Sequence, residues 1–179
     1  LEEENLDVIA NRDEYRPGDV AEILVNSPIY PAEGVMTIQQ VGNIKTERFT
    51  MTSPTAILKV PVDESMIPKV AVSVAVFGTA KRPYDDEKLA AKLPPRPAFA
   101  TGFDFVGVST ESRRLTVVAT PQKEILEPGE KTRVDLEVRD HLGRPAAGAE
   151  IALVAADESV LALSGYKIDD PVGIMYGGF

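Results

Sequence analysis

The stretch Val70-Ala71-Val72-Ser73-Val74-Ala75-Val76 decides the fold class, because a valine stands at every second position. A period of two places the valines on one face of an extended strand and the small residues on the other. The segment Lys131–Arg139 alternates in the same way between charged and less polar residues. Pro and Gly turns separate many such segments, which predicts an all-β fold of antiparallel sandwiches. The other predicted strands are Leu6–Ala10, Ala21–Val25, Val35–Val41, Ala56–Val62, Phe103–Val108, Leu115–Ala119, Ala149–Ala155 and Val160–Leu163.

An opening motif occurs twice in the chain. Leu6–Asn11 and Leu115–Thr120 share the pattern Leu, polar, Val, β-branched, Ala, polar. Each is followed by a polar stretch and then by Pro-Gly-acid, as Pro17-Gly18-Asp19 and as Pro128-Gly129-Glu130. Pro presets φ and Gly supplies an unusual φ, so each motif predicts a tight reversal between antiparallel strands. The repeat predicts two tandem sandwich domains, 1–111 and 112–179, with a boundary near Glu111–Arg114.

One stretch, from about residue 79 to 101, is irregular and rich in proline. Within it, Asp85–Leu93 begins with acidic residues, continues with lysines and carries two leucines four positions apart. This order is typical of a short helix, since acids favour its first turn and bases its last. We therefore predict a helix inside a long insertion of the first domain.

Composition excludes several classes of function. The 179 residues contain no Cys and a single His, which leaves no disulfide, thiolate metal site or Ser-His-Asp triad. A net charge of −9 disfavours nucleic acid as a partner, since phosphate binding needs the opposite sign. No apolar run reaches membrane-spanning length, and Leu1–Glu4 shows no signal peptide, so we expect any export signal to lie outside this stretch.

The remaining polar motifs favour structural interpretations. His141 lies in a predicted hairpin turn. Asp157-Glu158 is interpreted as a strand-end feature that anchors a turn, since adjacent residues in a strand point to opposite faces and are badly placed to share acid/base work. Asp85-Asp86-Glu87 has the oxygen ligands that calcium prefers, but it lacks the loop spacing of a calcium site. Arg113-Arg114 is interpreted as a surface pair at the domain junction, and Gly173–Gly178 lacks the lysine of a phosphate loop. The sequence thus predicts no catalytic, cofactor or metal site and no small-molecule substrate.

Several motifs together resemble those of the alpha-2-macroglobulin family, above all of its bacterial members. They are Tyr-x-Pro-Gly-Asp at 15–19, Glu-Pro-Gly-Glu at 127–130, Asp-x-x-Gly-x-Pro at 140–145, Ala-Glu-Ile-Ala-Leu at 149–153 and Asp-Glu-Ser-Val-Leu-Ala-Leu at 157–163. The stretch Ala156–Tyr166, followed by Asp169-Asp170-Pro171, resembles the segment before the family's bait region. Ala156 departs from the family pattern, which has a larger hydrophobic residue there.

The resemblance implies two consecutive macroglobulin domains, each a fibronectin-like sandwich, with the second incomplete because the bait region interrupts it. The residues that would flank the bait region are Tyr166, Asp169, Asp170, Pro171, Tyr176, Gly177, Gly178 and Phe179. The tail 166–179 mixes loop-forming Pro and Gly with apolar residues. It is interpreted either as a hydrophobic loop packed on its own or a neighbouring domain, or as the shoulder from which the bait segment departs.

The resemblance also implies the function. Family members trap proteases: a protease cuts the bait region, the molecule closes around it, and in many members a thioester couples to it. That thioester needs a Cys, so it would lie outside this stretch or be missing. We expect a non-catalytic scaffold fragment that is extracytoplasmic, in the periplasm, with an inner-membrane lipoprotein anchor possible for the parent. Its partners would be neighbouring macroglobulin domains and target proteases. The alternative is an immunoglobulin- or fibronectin-like adhesion or ligand-binding module of a surface protein.

Overall fold

The computed structural model describes residues 3–82, 93–127 and 129–177 of the chain. The chain divides into two compact units, Leu1–Ser109 and Thr110–Phe179. Strands dominate the described residues and short helices are few, which confirms the all-β prediction.

The first unit is a sandwich of two sheets. Its strands are β1 Glu3–Asn5, β2 Asp7–Ala10, β3 Glu14–Tyr15, β4 Val20–Asn26, β5 Ala32–Gln40, β6 Asn43–Met51, β7 Thr55–Pro61, β8 Lys69–Ala80 and β9 Arg96–Val108, with a 3-10 turn at Glu64–Met66. One sheet has the order β1-β9-β8-β5-β6, with β3 also paired to β9, and the other has the order β2-β4-β7. Pairing is antiparallel except where β1 and β3 run parallel to β9.

The core lies between these two sheets and follows the period of two. On β8 the four alternating valines from Val70 to Val76 are buried, while Ala71 and Ala75 on the opposite face are half-buried. Ile23 of β4 and Val60 of β7 face them from the second sheet and have no exposed surface. The alternation in the sequence therefore identified the inward face of the central strands correctly.

The N-terminal segment changes sheet twice. It pairs with β9 as β1, crosses to the second sheet as β2 and returns to β9 as β3. The crossing brings the Leu6 carbonyl oxygen so close to Gly102 that a Cβ there would lie 2.4 Å from it. Asp104 secures the same crossing, because its Oδ2 accepts a hydrogen bond from the Ala10 backbone N–H at 2.8 Å. Gly102 is thus required for a close approach of two backbones.

The irregular stretch is shorter than the predicted insertion of 79–101. Strand β8 continues to Ala80 and β9 begins at Arg96, and Thr79 and Ala80 pair with Pro97 and Arg96. The ladder extends because Pro97 stands near the start of β9, where a missing backbone donor is tolerated. The predicted helix Asp85–Leu93 lies outside the described residues apart from Leu93, which is in a bend.

The second unit contains one antiparallel hairpin and short helices. Strand β10 (Thr116–Pro121) pairs with β11 (Val134–Arg139), and a 3-10 turn covers Glu111–Arg113. Helix α1 spans Glu158–Ser164 and helix α2 spans Pro171–Tyr176. In the described residues of this unit the two strands form a single hairpin, and the incompleteness of the second sandwich stays a prediction.

Two strand predictions in this unit were wrong. Ala149–Ala155 forms no strand, and Val160–Leu163 belongs to α1. A strand needs a neighbour for its backbone groups, and in the described residues β10 and β11 pair only with each other, apart from a single bridge between Arg139 and Pro145. The residues from 158 to 164 instead satisfy their backbone groups within a helix, which needs no partner strand.

The repeated opening has the same register in both units. In the first, Ala10, seven residues before Pro17, pairs with Ile23, six residues after it. In the second, Pro121 and Val134 stand at the corresponding positions about Pro128 and also pair. The predicted antiparallel neighbours are therefore confirmed, although β3 lies within the first connection.

The two turns also share their polar contacts. Asp19 Oδ2 accepts from the Arg16 N–H at 3.0 Å, and Glu130 Oε2 accepts from the Glu127 N–H at 3.1 Å. A basic residue seven positions earlier contacts each acid: Arg12 reaches Asp19 at 3.5 Å, and Lys123 reaches Glu130 at 3.1 Å. The acid that follows each Pro-Gly therefore makes the same two kinds of contact in both turns.

Gly18 is expected to stabilise its turn through its backbone conformation, and not because a side chain there would meet a neighbouring atom. Its φ is +100°, and nothing lies within 4 Å of an added Cβ. Gly18→Ala is expected to lower the free energy of unfolding by about 1–2 kcal/mol, the usual cost of a left-handed residue with a side chain. Gly18→Asn should cost less, because asparagine tolerates this region better. Urea denaturation of the three proteins tests this, and equal midpoints would contradict it.

Candidate functional site

The segment 157–165 folds as a capped helix, which corrects the interpretation of Asp157-Glu158 as the end of a strand. Asp157 caps α1, since its Oδ1 accepts from the Ser159 N–H at 2.8 Å, and Glu158 follows in the first turn. Hydrogen bonds from the Ser159 hydroxyl and backbone N–H lower the pKa of Asp157. Gly165 ends the helix at φ +62°, and its N–H donates to the Leu161 carbonyl at 3.1 Å. These are ordinary start and stop signals of a helix.

The tail that follows is also partly helical, rather than the loop that its Pro and Gly residues suggested. Asp170 caps α2, because its Oδ1 accepts from the Val172 N–H at 3.2 Å, and Pro171 occupies the first turn. Pro is favoured there since its missing N–H needs no partner. The Gly177 N–H closes the helix on the Gly173 carbonyl at 2.8 Å.

The structure places six of the eight predicted bait-flanking residues. Tyr166 and Asp169 lie in the connection between the helices, Asp170 and Pro171 begin α2, Tyr176 ends it and Gly177 follows. Gly178 and Phe179 lie outside the described residues.

An ion pair joins this tail to the start of the second unit. Arg114 follows the 3-10 turn Glu111–Arg113 and places its guanidinium against the carboxylate of Asp170. Nη1 donates to Oδ1 at 3.3 Å and Nη2 donates to Oδ2 at 2.8 Å, while Nε lies 3.5 Å from Glu111. Side-chain hydrogen bonding within the pair lowers the pKa of Asp170 and raises that of Arg114. Arg114 is therefore not a free surface charge.

Sequence reasoning missed this pair. Its members are 56 residues apart, and no periodicity joins them. The only available signal was the opposite charge of Arg114 and Asp170 at the two ends of the unit, which is too common to single out.

Apolar side chains of the tail are largely exposed. Tyr166 and Ile168 are 67% and 84% exposed, and Ile174 and Met175 are 68% and 69% exposed. Val172 and Tyr176, four positions apart on α2, are half-buried. The tail is therefore not a hydrophobic loop packed into its own domain within the part of the chain that the structure describes.

The remaining candidate residues have local roles. His141 is exposed in the turn Asp140–Gly143, where Asp140 accepts hydrogen bonds from Arg144 that lower the pKa of Asp140. The calcium candidate Asp85-Asp86-Glu87 lies outside the described residues. Within residues 3–82, 93–127 and 129–177, no group of three or more His, Cys, Asp or Glu residues could hold a metal ion. No helix in these ranges has the length and apolarity that crossing a membrane requires.

The sequence model of the alpha-2-macroglobulin bait region domain matches residues 6–163. The chain belongs to the alpha-2-macroglobulin family. The resemblance read from the motifs between 15 and 163 is thereby confirmed. The match covers both units and ends before Tyr166, so the bait-flanking residues lie beyond it and their assignment stays a prediction.

Three proteins illustrate the similarity. An alpha-2-macroglobulin homolog of Nostoc sp. is 27% identical over 171 residues, which cover 96% of this chain and 9% of that protein. Circularly permutated Ras protein 2 of Dictyostelium discoideum is 25% identical over 172 residues, again 96% of this chain but 4% of that protein. The native conformation of E. coli alpha-2-macroglobulin matches with a TM-score of 0.46 and 19% identity, covering 99% of this chain and 10% of that one. The chain thus spans a tenth or less of each protein.

Proposed function

We propose that this chain is a non-catalytic scaffold part of a bacterial alpha-2-macroglobulin-like inhibitor that traps proteases after its bait region is cut. The observation that carries the proposal is the match of the bait region domain to residues 6–163. In this proposal 1–111 and 112–179 are consecutive macroglobulin domains, and the tail from Tyr166 onward is the shoulder of the bait segment. The partners are neighbouring macroglobulin domains and the trapped protease. The compartment is outside the cytoplasm, in the periplasm.

The geometry suits a mechanical role. The first unit has a core of buried valines between two sheets, so it can transmit force without deforming. The tail has short capped helices that end at Gly177, which is what a firm attachment point for a cleavable segment needs. Proteases bind substrates as extended chains, so cleavage is favoured beyond such helices rather than within them.

The full-length parent protein provides the test. We expect its radius of gyration, measured by small-angle scattering, to change after treatment with a broad-specificity protease that cuts the bait segment. The same protease with its active site blocked is the control and should leave the radius unchanged. An unchanged radius after cleavage has been verified by mass spectrometry would overturn the proposal.

A specific observation favours the second candidate, a binding module. Phe77, Phe103 and Phe105 are 53%, 65% and 50% exposed and share the outer face of β8 and β9. The rings of Phe103 and Phe105 meet edge to face at 5.8 Å, and Lys69 Nζ lies 4.8 Å from the Phe105 ring centre. A glycan array and a cell-adhesion assay test this function, and specific binding lost in Phe103→Ala would support it.

A further inference from the structure

We propose that Arg114 and Asp170 form an ionic latch that holds the first turn of α2 at the start of the second unit. The latch would fix where the tail leaves the folded unit and protect the residues before Gly177 from proteolysis. This second part rests on the proposed function, in which the bait segment follows the tail.

The contact between Arg114 and Asp170 is bidentate. Two guanidinium nitrogens of Arg114 meet the two carboxylate oxygens of Asp170 at 3.3 and 2.8 Å, a fork-to-fork arrangement. Such bidentate pairs are more directional than single contacts and stronger than an average surface pair. The third nitrogen of Arg114 lies 3.5 Å from Glu111, which holds the guanidinium beside the 3-10 turn.

The Asp170 carboxylate both caps α2 and forms the ion pair. Asp170 Oδ1 accepts from the Val172 N–H at 3.2 Å and from Arg114 Nη1, so the cap of α2 and the ion pair use the same atom. A six-residue helix is unstable in water without external support. Since Ile174 and Met175 are exposed, packing supports α2 only on the side of Val172 and Tyr176. The latch therefore supplies support that packing does not.

The latch is expected to be weak. Exposed ion pairs contribute little to stability, and Arg114 and Asp170 are 42% and 47% exposed. Loss of the latch should therefore raise the equilibrium constant for opening of α2 by about two- to fivefold, and the helix should still form. A contact of this strength holds a segment at rest and releases it under modest force.

Hydrogen exchange on the 179-residue chain tests the latch at the amides of Val172, Ile174 and Gly177, which are hydrogen-bonded in and around α2. Arg114→Gln and Asp170→Asn should each speed exchange about two- to fivefold at these amides. Asparagine caps helices as well as aspartate, so Asp170→Asn removes the ion pair and keeps the cap. Combining both changes should add little to either alone, because they break the same contact.

Asp157→Asn is the matched control. Asp157 caps α1 as Asp170 caps α2, and within the described residues it makes no ion pair. The Asp157→Asn variant should leave amide exchange in α2 unchanged. In every variant, unchanged exchange at the Val72 amide would show that the first unit is intact. Arg114→Lys, which keeps the charge and loses the fork, should fall between the wild type and Arg114→Gln. Unaltered α2 exchange in Arg114→Gln, or additive effects in the double variant, would overturn the latch.

Acid should release the latch. Hydrogen bonding from Arg114 lowers the pKa of Asp170, so the stabilisation is complete above the ordinary aspartate pKa and is lost as pH falls through the lowered value. Glu111 is the other acid that faces Arg114, with its carboxylate 3.5 Å from the Arg114 Nε. The exchange difference between wild type and Arg114→Gln, corrected for intrinsic rates, should therefore persist at neutral pH and vanish in acid. A difference that grows in acid would contradict the ion pair.

Limited proteolysis gives the functional readout. A broad-specificity protease should cut between residues 165 and 177 about two- to fivefold faster in Arg114→Gln than in the wild type, as the opening equilibrium predicts. Equal cleavage rates would overturn the protective role. These experiments measure amide exchange and cleavage rates in this chain, so a negative result contradicts the latch. An unchanged radius of the cleaved parent protein contradicts the protease trap instead, and the two outcomes can be told apart.

Discussion

Replacing Ile23 with alanine is expected to lower the free energy of unfolding of the first unit by about 2–5 kcal/mol. Ile23 has no exposed surface and lies on β4, the middle strand of the three-stranded sheet, paired with Ala10 on β2 and Leu58 on β7. Truncation removes buried methyl groups and leaves a cavity that rigid neighbouring strands cannot fill. Urea denaturation followed by circular dichroism measures the loss.

Leu24→Ala is the matched control on the same strand. Leu24 points to the opposite face and is 40% exposed, in an outer row with Ile9 and Ile57. Its loss should cost no more than about 1 kcal/mol, the scale of cross-strand contacts on a wet face. If Leu24→Ala were as costly as Ile23→Ala, the assignment of inner and outer faces would be wrong.

Replacing Gly102 with alanine is expected to cost about 1–3 kcal/mol, because the new Cβ would stand 2.4 Å from the Leu6 carbonyl oxygen. The clash is with backbone, so it cannot be relieved by turning a side chain. The N-terminal segment must move away from β9, which also strains the hydrogen bond between Asp104 and the Ala10 N–H. Hydrogen exchange should therefore speed up more at the Ala10 amide than at amides in the centre of β8.

Gly173→Ala provides the same substitution without a clash. The nearest atom to its Cβ is Asp170 Oδ2 at 3.5 Å, an ordinary contact, and alanine favours helix over glycine by about 1 kcal/mol. Exchange in α2 should slow in this variant. If Gly102→Ala left the free energy of unfolding unchanged, the close crossing of the N-terminal segment over β9 would be refuted.

The success and failure of sequence reasoning have separate physical causes. The inward face of the β8 valines and the antiparallel strands around Pro17 and Pro128 were predictable because period and turn chemistry act between close neighbours. Val160–Leu163 was misread because a run of four apolar residues suits a strand or a short helix equally. The capping signals, Asp157 before it and Gly165 after it, were present and should have decided for the helix.

The sequence by itself determined the all-β class, the inward face of the central strands and the antiparallel neighbours on either side of Pro17 and Pro128, because each depends on residues that are adjacent or joined by one connection. Only the tertiary structure decided that the N-terminal segment crosses between sheets at Gly102, and that Arg114 meets Asp170. The hydrogen bond between Ala10 and Asp104 at that crossing joins residues 94 positions apart, and the ion pair joins residues 56 positions apart. Whether such residues meet depends on the path of all the chain between them, and no local pattern records that path.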